Sequence, residues 1–142
     1  MDAQIISESS IMKPYVSDRC IVDPMAYTLL QSAPGNSSQG GETSTRNFES
    51  LLLRSDAQRT LASYRDRRRT LVILLEPVEE FAVDDGTRAV VENMEQWMEC
   101  LRAFERTLEK AGITSFERLG PETTDLGERV HKVKNWVSQM IS

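Results

Sequence analysis

The chain has 142 residues, with 17 lysines and arginines against 22 aspartates and glutamates, and its formal net charge is −5. This length allows one modest domain, and the acidic balance argues against a general nucleic-acid binder, which needs a basic face. Two cysteines, Cys20 and Cys100, are too few for a disulfide framework. The apolar run Leu71–Leu75 is far shorter than the ~20 residues of a membrane span. These features predict a cytoplasmic protein that does not enter a membrane.

The N-terminal third differs in composition from the rest of the chain. Residues 1–44 show little periodicity, and the stretch 32–45 is rich in serine and glycine. Such a composition leaves the backbone flexible and supplies few side chains to bury. The sequence therefore predicts a disordered arm over residues 1–44 and a helical domain over residues 45–142.

Two series of mostly apolar residues follow, each at alternating steps of four and three. This spacing is typical of helices that pack with knobs into holes. The first series is Ala57, Leu61, Tyr64, Arg68, Leu71, Leu75, Val78 and Ala82. The second series is Val90, Met94, Trp97, Leu101, Phe104, Leu108 and Ala111. Pro77 lacks a backbone donor and predicts a kink or an end in the first helix, and residues 84–87 predict a turn between the two.

The end of the second helix and a third helix also have sequence signals. Gly112 stands where a left-handed residue closes a helix. Asp125 is a predicted N-cap, with Glu128 three residues later. The apolar series of this last helix is Leu126, Val130, Val133, Val137 and Met140.

The sequence thus predicts an all-α fold, a long antiparallel helical hairpin plus a third helix, of the bundle or coiled-coil type. A core of about 95 residues is small, so we expect a second copy to complete it as a homodimer. The predicted dimer and bundle interface consists of Leu71, Leu75, Val78, Val90, Met94, Trp97, Leu101, Phe104 and Leu108.

Sequence motifs for catalysis are weak. His131 is the single histidine of the chain, and no zinc-binding spacing or nucleophile elbow accompanies it. The glycine-rich stretch 35–41 lacks the Gly-Lys-Ser/Thr of a phosphate-binding loop. We therefore expect no enzymatic activity, no cofactor and no metal site.

The run Arg65–Arg69 contains four arginines and one aspartate, in a segment (46–70) that holds seven arginines against three acidic residues. Such a run can contact an anion or a nucleic acid, or it can pair with acidic residues of a partner, a neighbouring helix or a second subunit. Pairing is the more economical interpretation, because residues 71–110 hold ten acidic and four basic groups. The predicted partner-contact residues are Arg65, Arg67, Arg69, His131 and Trp136.

Several segments, in order, resemble GrpE, the nucleotide-exchange co-chaperone of DnaK-type chaperones. They are Tyr64–Arg69, Leu74-Leu-Glu-Pro-Val-Glu-Glu-Phe81, Val91–Met98, Leu108-Glu-Lys-Ala-Gly-Ile113, Leu119-Gly120, Asp125 and Val130-His-Lys-Val133. The resemblance runs from about residue 64 to residue 133. Four features depart from the family pattern. Glu76 separates the leucine pair from Pro77, Gly127 replaces a proline, and we expect no room for the family's C-terminal β-domain. The long N-terminal helix of the family is also short here, with a Ser/Gly-rich arm in its place.

The resemblance implies a helical dimer that binds the ATPase domain of a DnaK-type chaperone and promotes nucleotide exchange. The absence of the β-domain implies that dimerisation is better supported than exchange. The alternative function is a non-enzymatic helical adaptor or regulator that docks on a partner protein through a face of its bundle.

Overall fold

The computed structural model describes residues 16–31, 41–81 and 93–142, with the side chains of residues 41–44 left out of the description. The described elements are, in chain order, α1 (Val22–Leu30), α2 (Gly41–Leu53), α3 (Ser55–Arg65), β1 (Ile73–Leu75), a 3-10 helix (Glu79–Phe81), α4 (Met94–Lys110), β2 (Glu117–Leu119) and α5 (Leu126–Ile141). The fold over these ranges is mostly helical, which confirms the predicted helical class. It also contains a two-stranded sheet that was not predicted.

The core of the described residues forms around helix α1. This helix packs against α4 and α2, and α2 in turn packs against α3. The largest fully buried side chains are Phe48, Ile21, Met25, Leu61, Ile113 and Thr107. Complete burial of one phenylalanine or methionine side chain stabilises a fold by roughly 1.5–3 kcal/mol. Helix α1 and Ile21 just before it are therefore part of the core.

The prediction of a disordered arm over residues 1–44 is wrong for residues 22–30, which form α1, and for residues 41–44, which begin α2. Ile21, Val22, Met25 and Ala26 are all buried, at the i, i+1, i+4 and i+5 spacing of an apolar helix face. The backbone N–H of Cys20 donates to Asp23 Oδ2 at 2.8 Å, which satisfies a donor just before the helix. Residues 1–15 and 32–40 of the predicted arm lie outside the described residues.

The first predicted long helix is also corrected, because α3 ends at Arg65. Asp66 then organises a turn: its carbonyl accepts from the N–H groups of Arg69 and Thr70 at 2.9 and 3.0 Å. Its carboxylate accepts from the N–H of Arg68 at 3.0 Å. Local bonding by aspartate competes with helix continuation and favours a turn. The helical spacing of Leu71, Leu75 and Val78 consequently does not describe a helix face.

Residues 73–75 form strand β1, which pairs in parallel with β2 in the register Ile73–Glu117, Leu74–Arg118 and Leu75–Leu119. The N–H of Glu76 extends the ladder by donating to the carbonyl of Leu119 at 3.1 Å. The branched side chains of Val72 and Ile73 favour a strand, and the residue before Pro77 is biased towards extended backbone. Helix α4 lies between the strands in sequence and supplies the crossover that parallel pairing requires.

The predicted end of the second helix at Gly112 and the predicted cap of the third helix at Asp125 are confirmed, whereas the Asn93 cap was not predicted. Asn93 caps α4 by accepting from the N–H of Gln96 at 3.0 Å. Gly112 has φ +72°, and the N–H groups of Gly112 and Ile113 donate to the carbonyls of Glu109 and Leu108, both at 2.9 Å. This is a Schellman ending, which favours glycine in the left-handed position. Asp125 caps α5, as predicted, by accepting from the N–H of Glu128 at 2.8 Å.

Candidate interaction surface

Two of the arginines predicted to contact a partner are bonded within the chain. Arg65 Nε donates to the carbonyl of Ala111 at 2.7 Å, which joins the end of α3 to the end of α4. Arg67 forms an ion pair with Glu117 and donates from Nη1 to Ser115 Oγ at 3.2 Å. These contacts span 46 to 50 residues of sequence, so both side chains hold the tertiary fold together. Arg69 lies on the turn after α3 with an exposed side chain.

The residues predicted to form a dimer or bundle interface are divided between core and surface. Leu101, Leu108 and Val78 are buried within the single chain. Leu71, Trp97 and Phe104 are half-buried, and the Phe104 ring makes an edge-to-face contact with Tyr27 at 6.0 Å between centroids. Leu75 and Met94 are exposed, and Val90 lies outside the described residues. Leu101 and Leu108 therefore present little surface to a second copy.

Arg118 on β2 forms ion pairs with two glutamates, which the sequence did not predict. Its Nη1 lies 2.9 Å from Glu76 Oε1 and 2.7 Å from Glu105 Oε1, and its guanidinium stands 5.2 Å from the centroid of the Phe116 ring. The hydrogen bonds to Glu76 and Glu105 raise the pKa of Arg118 above its usual range. This contact ties the strand pair to the middle of α4. No sequence spacing indicates it, because the two carboxylates are remote from Arg118 in the chain.

Arg129 was also missed, and it anchors helix α5. Its side chain is buried, and its Nη1 donates to the carbonyls of Thr123 and Gly120 at 2.8 and 3.2 Å. Its guanidinium lies 5.2 Å from the centroid of the Phe81 ring. A buried guanidinium requires partners for its fixed fork of donors. Here backbone carbonyls of the loop before α5 supply those partners.

Lys132, one turn further along α5, contacts the same loop. Its Nζ lies 3.3 Å from Glu122 Oε1 and 2.5 Å from Thr123 Oγ1. The pKa of Glu122 is lowered, mainly by a hydrogen bond from the backbone N–H of Glu122 itself and further by the hydrogen bond from Lys132. The first two turns of α5 are thus held through polar side chains, whereas α4 is held through its apolar face.

The apolar series predicted for the third helix is largely exposed in α5. Leu126, Val130 and Val137 are 70%, 46% and 40% exposed, whereas Val133 and Met140 of the same series are half-buried. Ile141, which lies outside the predicted series, is 76% exposed. Of the two partner-contact residues predicted in this helix, His131 is exposed and Trp136 is half-buried. The structure therefore brings exposed aliphatic and basic side chains together on one helix, an arrangement suited to binding another macromolecule.

Sites for chemistry are scarce in the described residues. Within residues 16–31, 41–81 and 93–142, no three histidine, cysteine or acidic side chains converge as a metal site would require. Burial, and then the charge of Glu99, raises the pKa of the Cys100 thiol, which disfavours the nucleophilic thiolate. No helix in these ranges has the length and apolar composition needed to cross a membrane.

A scan against models of protein families gives no match for this chain, and searches of curated proteins and of solved structures give none either.

Proposed function

We propose that the chain is a non-enzymatic, cytoplasmic adaptor that docks on a partner protein through its helical surface. The observation that carries this proposal is the exposed aliphatic row on α5, a helix whose first turns are fixed by Arg129 and Lys132. A prearranged helix loses little conformational entropy on binding, so its contacts translate efficiently into affinity. Such a surface is suited to binding a partner and not to catalysis.

A DnaK-type chaperone is the first partner to test, because of the resemblance to GrpE. The order of the elements supports this second candidate: a Schellman-ended helix at Leu108–Ile113, then β2, then a helix capped by Asp125 that carries His131. Exchange would follow if the chain bound the open, nucleotide-free ATPase domain better than the closed one. However, the segment Leu74–Phe81 forms a strand and a 3-10 turn here, where the resemblance implies a helix.

The adaptor function is tested by affinity capture with the full chain, followed by reconstitution of each recovered complex from purified proteins. We expect a partner that binds in a defined ratio with a dissociation constant of about 1 µM or tighter, equivalent to roughly −8 kcal/mol. If no purified candidate binds, the adaptor function is wrong.

Nucleotide exchange and dimer formation are tested by two separate measurements. Release of labelled ADP from a DnaK-type chaperone should accelerate if the chain is an exchange factor, and an unchanged release rate would exclude that function. Sedimentation at micromolar concentration tests the predicted homodimer of bundle or coiled-coil type. A monomer at that concentration would contradict it, while leaving the adaptor function intact.

A further inference from the structure

The exposed residues of α5 form a continuous row along one side of the helix. Leu126, Val130, Val137 and Ile141 are separated by steps of four, seven and four residues. At about 100° per residue they fall within an arc of roughly 60°. We call this row the α5 stripe. Four aliphatic side chains aligned in this way, each at least 40% exposed, form a patch of the kind that marks a binding surface.

A different side of α5 attaches to the rest of the chain. Arg129 and Lys132 both contact the loop at 119–123, and on the helix they lie roughly 60° and 120° from Leu126, away from the α5 stripe. The contacts that fix the helix therefore leave the α5 stripe uncovered. A partner can reach the α5 stripe without displacing the contacts of Arg129 and Lys132 with this loop.

Charge around the α5 stripe is basic. Lys134 lies about 20° beyond Ile141, and His131 lies further along the same side. Both side chains are exposed. Glu128 is the single acidic residue of α5, and it lies roughly 160° from Leu126, on the far side of the helix. A carboxylate on a partner would thus meet Lys134 beside the α5 stripe without an acidic residue of α5 close to it.

This charge pattern disfavours a second copy that pairs in antiparallel order. Lys134 lies at the centre of α5, so two such helices paired through their α5 stripes in antiparallel order would bring both Lys134 ammonium groups together. In a parallel pair the two Lys134 side chains would lie on opposite flanks of the contact, so this repulsion applies to the antiparallel order. Like charges placed opposite each other oppose association.

The pattern also disfavours a lipid surface. Helices that lie on membranes carry several lysines and arginines, each worth about 1 kcal/mol near an anionic surface, together with large aromatic anchors. Here Lys132 is engaged by Glu122, the α5 stripe has no aromatic residue, and the chain carries a net charge of −5. Lys134 alone supplies little attraction.

We propose that the α5 stripe docks as a helix into an apolar groove on a partner protein whose rim carries carboxylates next to Lys134. This proposal rests on the adaptor function and specifies both its contact residues and the chemistry of its partner. It belongs to the helix-in-groove mode of recognition, in which residues at helical spacing anchor in the groove.

Calcium-loaded calmodulin is the probe for this chemistry, because its opened domains expose a methionine-rich groove that accepts basic amphipathic helices. Fluorescence anisotropy of the labelled full chain, titrated with the probe, should show binding. The double variant V130S/V137S should bind at least about tenfold more weakly, since it removes apolar contacts from the groove. Lys134→Glu should weaken binding about threefold or more, by an amount that shrinks as salt rises.

Matched variants control for folding and for charge. Val16→Ser changes an almost fully exposed valine outside α5, and Arg106→Glu reverses an exposed charge on α4. Both should bind as the unaltered chain does, and circular dichroism should show all four variants folded. Binding that V130S/V137S does not weaken would overturn the proposal, as would no binding of the unaltered chain at about 100 µM probe.

Two further arms address the other occupants. If phosphatidylserine vesicles bind the chain as tightly as the probe does, the α5 stripe binds a lipid surface and the proposal of a protein groove is wrong. If sedimentation shows a dimer that the V130S/V137S variant does not form, the α5 stripe binds a second copy of the chain and the proposal of a partner's groove is wrong. A purified partner that binds the V130S/V137S variant as tightly as the unaltered chain would leave the adaptor function standing and refute the α5 stripe as its site.

Discussion

Helices α4 and α5 have similar sequence patterns and different surroundings. They contain 17 and 16 residues, and each is capped by a side chain that accepts from the N–H three residues later. Both carry apolar residues at steps of four and three. Leu101 and Leu108 of α4 are nonetheless buried, whereas Leu126 and Val130 of α5 are exposed. An amphipathic pattern therefore identifies the apolar face of a helix without identifying what covers it.

The difference arises from elements outside the two helices. Helix α1 packs against α4, and Ile21, Val22 and Met25 enter the same hydrophobic cluster as Leu101 and Leu108. Helix α5 is attached instead through Arg129 and Lys132 to the loop that precedes it. One helix is thus stabilised mainly by apolar burial and the other mainly by hydrogen bonds to a loop.

The largest expected effect comes from truncating the buried face of α4. Leu108 is 2% exposed, so Leu108→Ala removes buried methyl groups and leaves a cavity. We expect the free energy of unfolding to fall by about 3 kcal/mol, within the usual range of 2–5 kcal/mol for such changes. Chemical denaturation of the purified chain measures this directly.

The matched control is Leu126→Ala on α5, where the leucine is 70% exposed. This change should alter the free energy of unfolding by less than about 0.5 kcal/mol. Equal losses for the two variants would show that α5 is packed in solution, and the comparison between the helices would then fail.

Local signals predicted the end of α4 and the cap of α5, because a cap depends on neighbours in sequence. Gly112 and Asp125 take the roles that their positions indicate. The break at Asp66 was missed, because the 3.5-residue spacing runs through it and the aspartate's own bonds to the turn outweigh that spacing. Helix α1 could have been found from Ile21, Val22, Met25 and Ala26, whose spacing is helical although a flexible stretch follows.

The roles of the arginines could not be predicted, since each depends on a contact remote in sequence. Arg67 and Arg69 are two residues apart, yet Arg67 pairs with Glu117 while Arg69 is exposed. Strand pairing between residues 73–75 and 117–119 decides which guanidinium meets a carboxylate. The exposure of the α5 stripe is of the same kind, because it depends on which elements reach that helix.

A smaller effect is expected from removing the anchor of α5. Arg129→Ala deletes the donors to the carbonyls of Thr123 and Gly120, and it leaves these acceptors without that partner. We expect a loss of about 2 kcal/mol, as is usual for hydrogen bonds that involve a charged group. Hydrogen exchange should accelerate across α5 more than across α4. Lys134→Ala, the control on an exposed side chain, should leave both measurements unchanged, and protection of α5 that survives Arg129→Ala would show another attachment.

The smallest effect is expected from removing the N-cap side chains of α4 and α5, and it should differ between the two helices. Asp125→Ala and Asn93→Ala each remove a side-chain acceptor from a first-turn N–H, which costs about 1 kcal/mol of helix stability. In α4 the buried face holds the remaining turns, so exchange should accelerate in the first turn alone. In α5 the exposed face gives no such support, so exchange should accelerate along much of the helix. Asp125→Ser retains an acceptor and should behave nearly as the unaltered chain does. If both alanine variants affect one turn each, α5 is held over its whole length by contacts as extensive as those of α4.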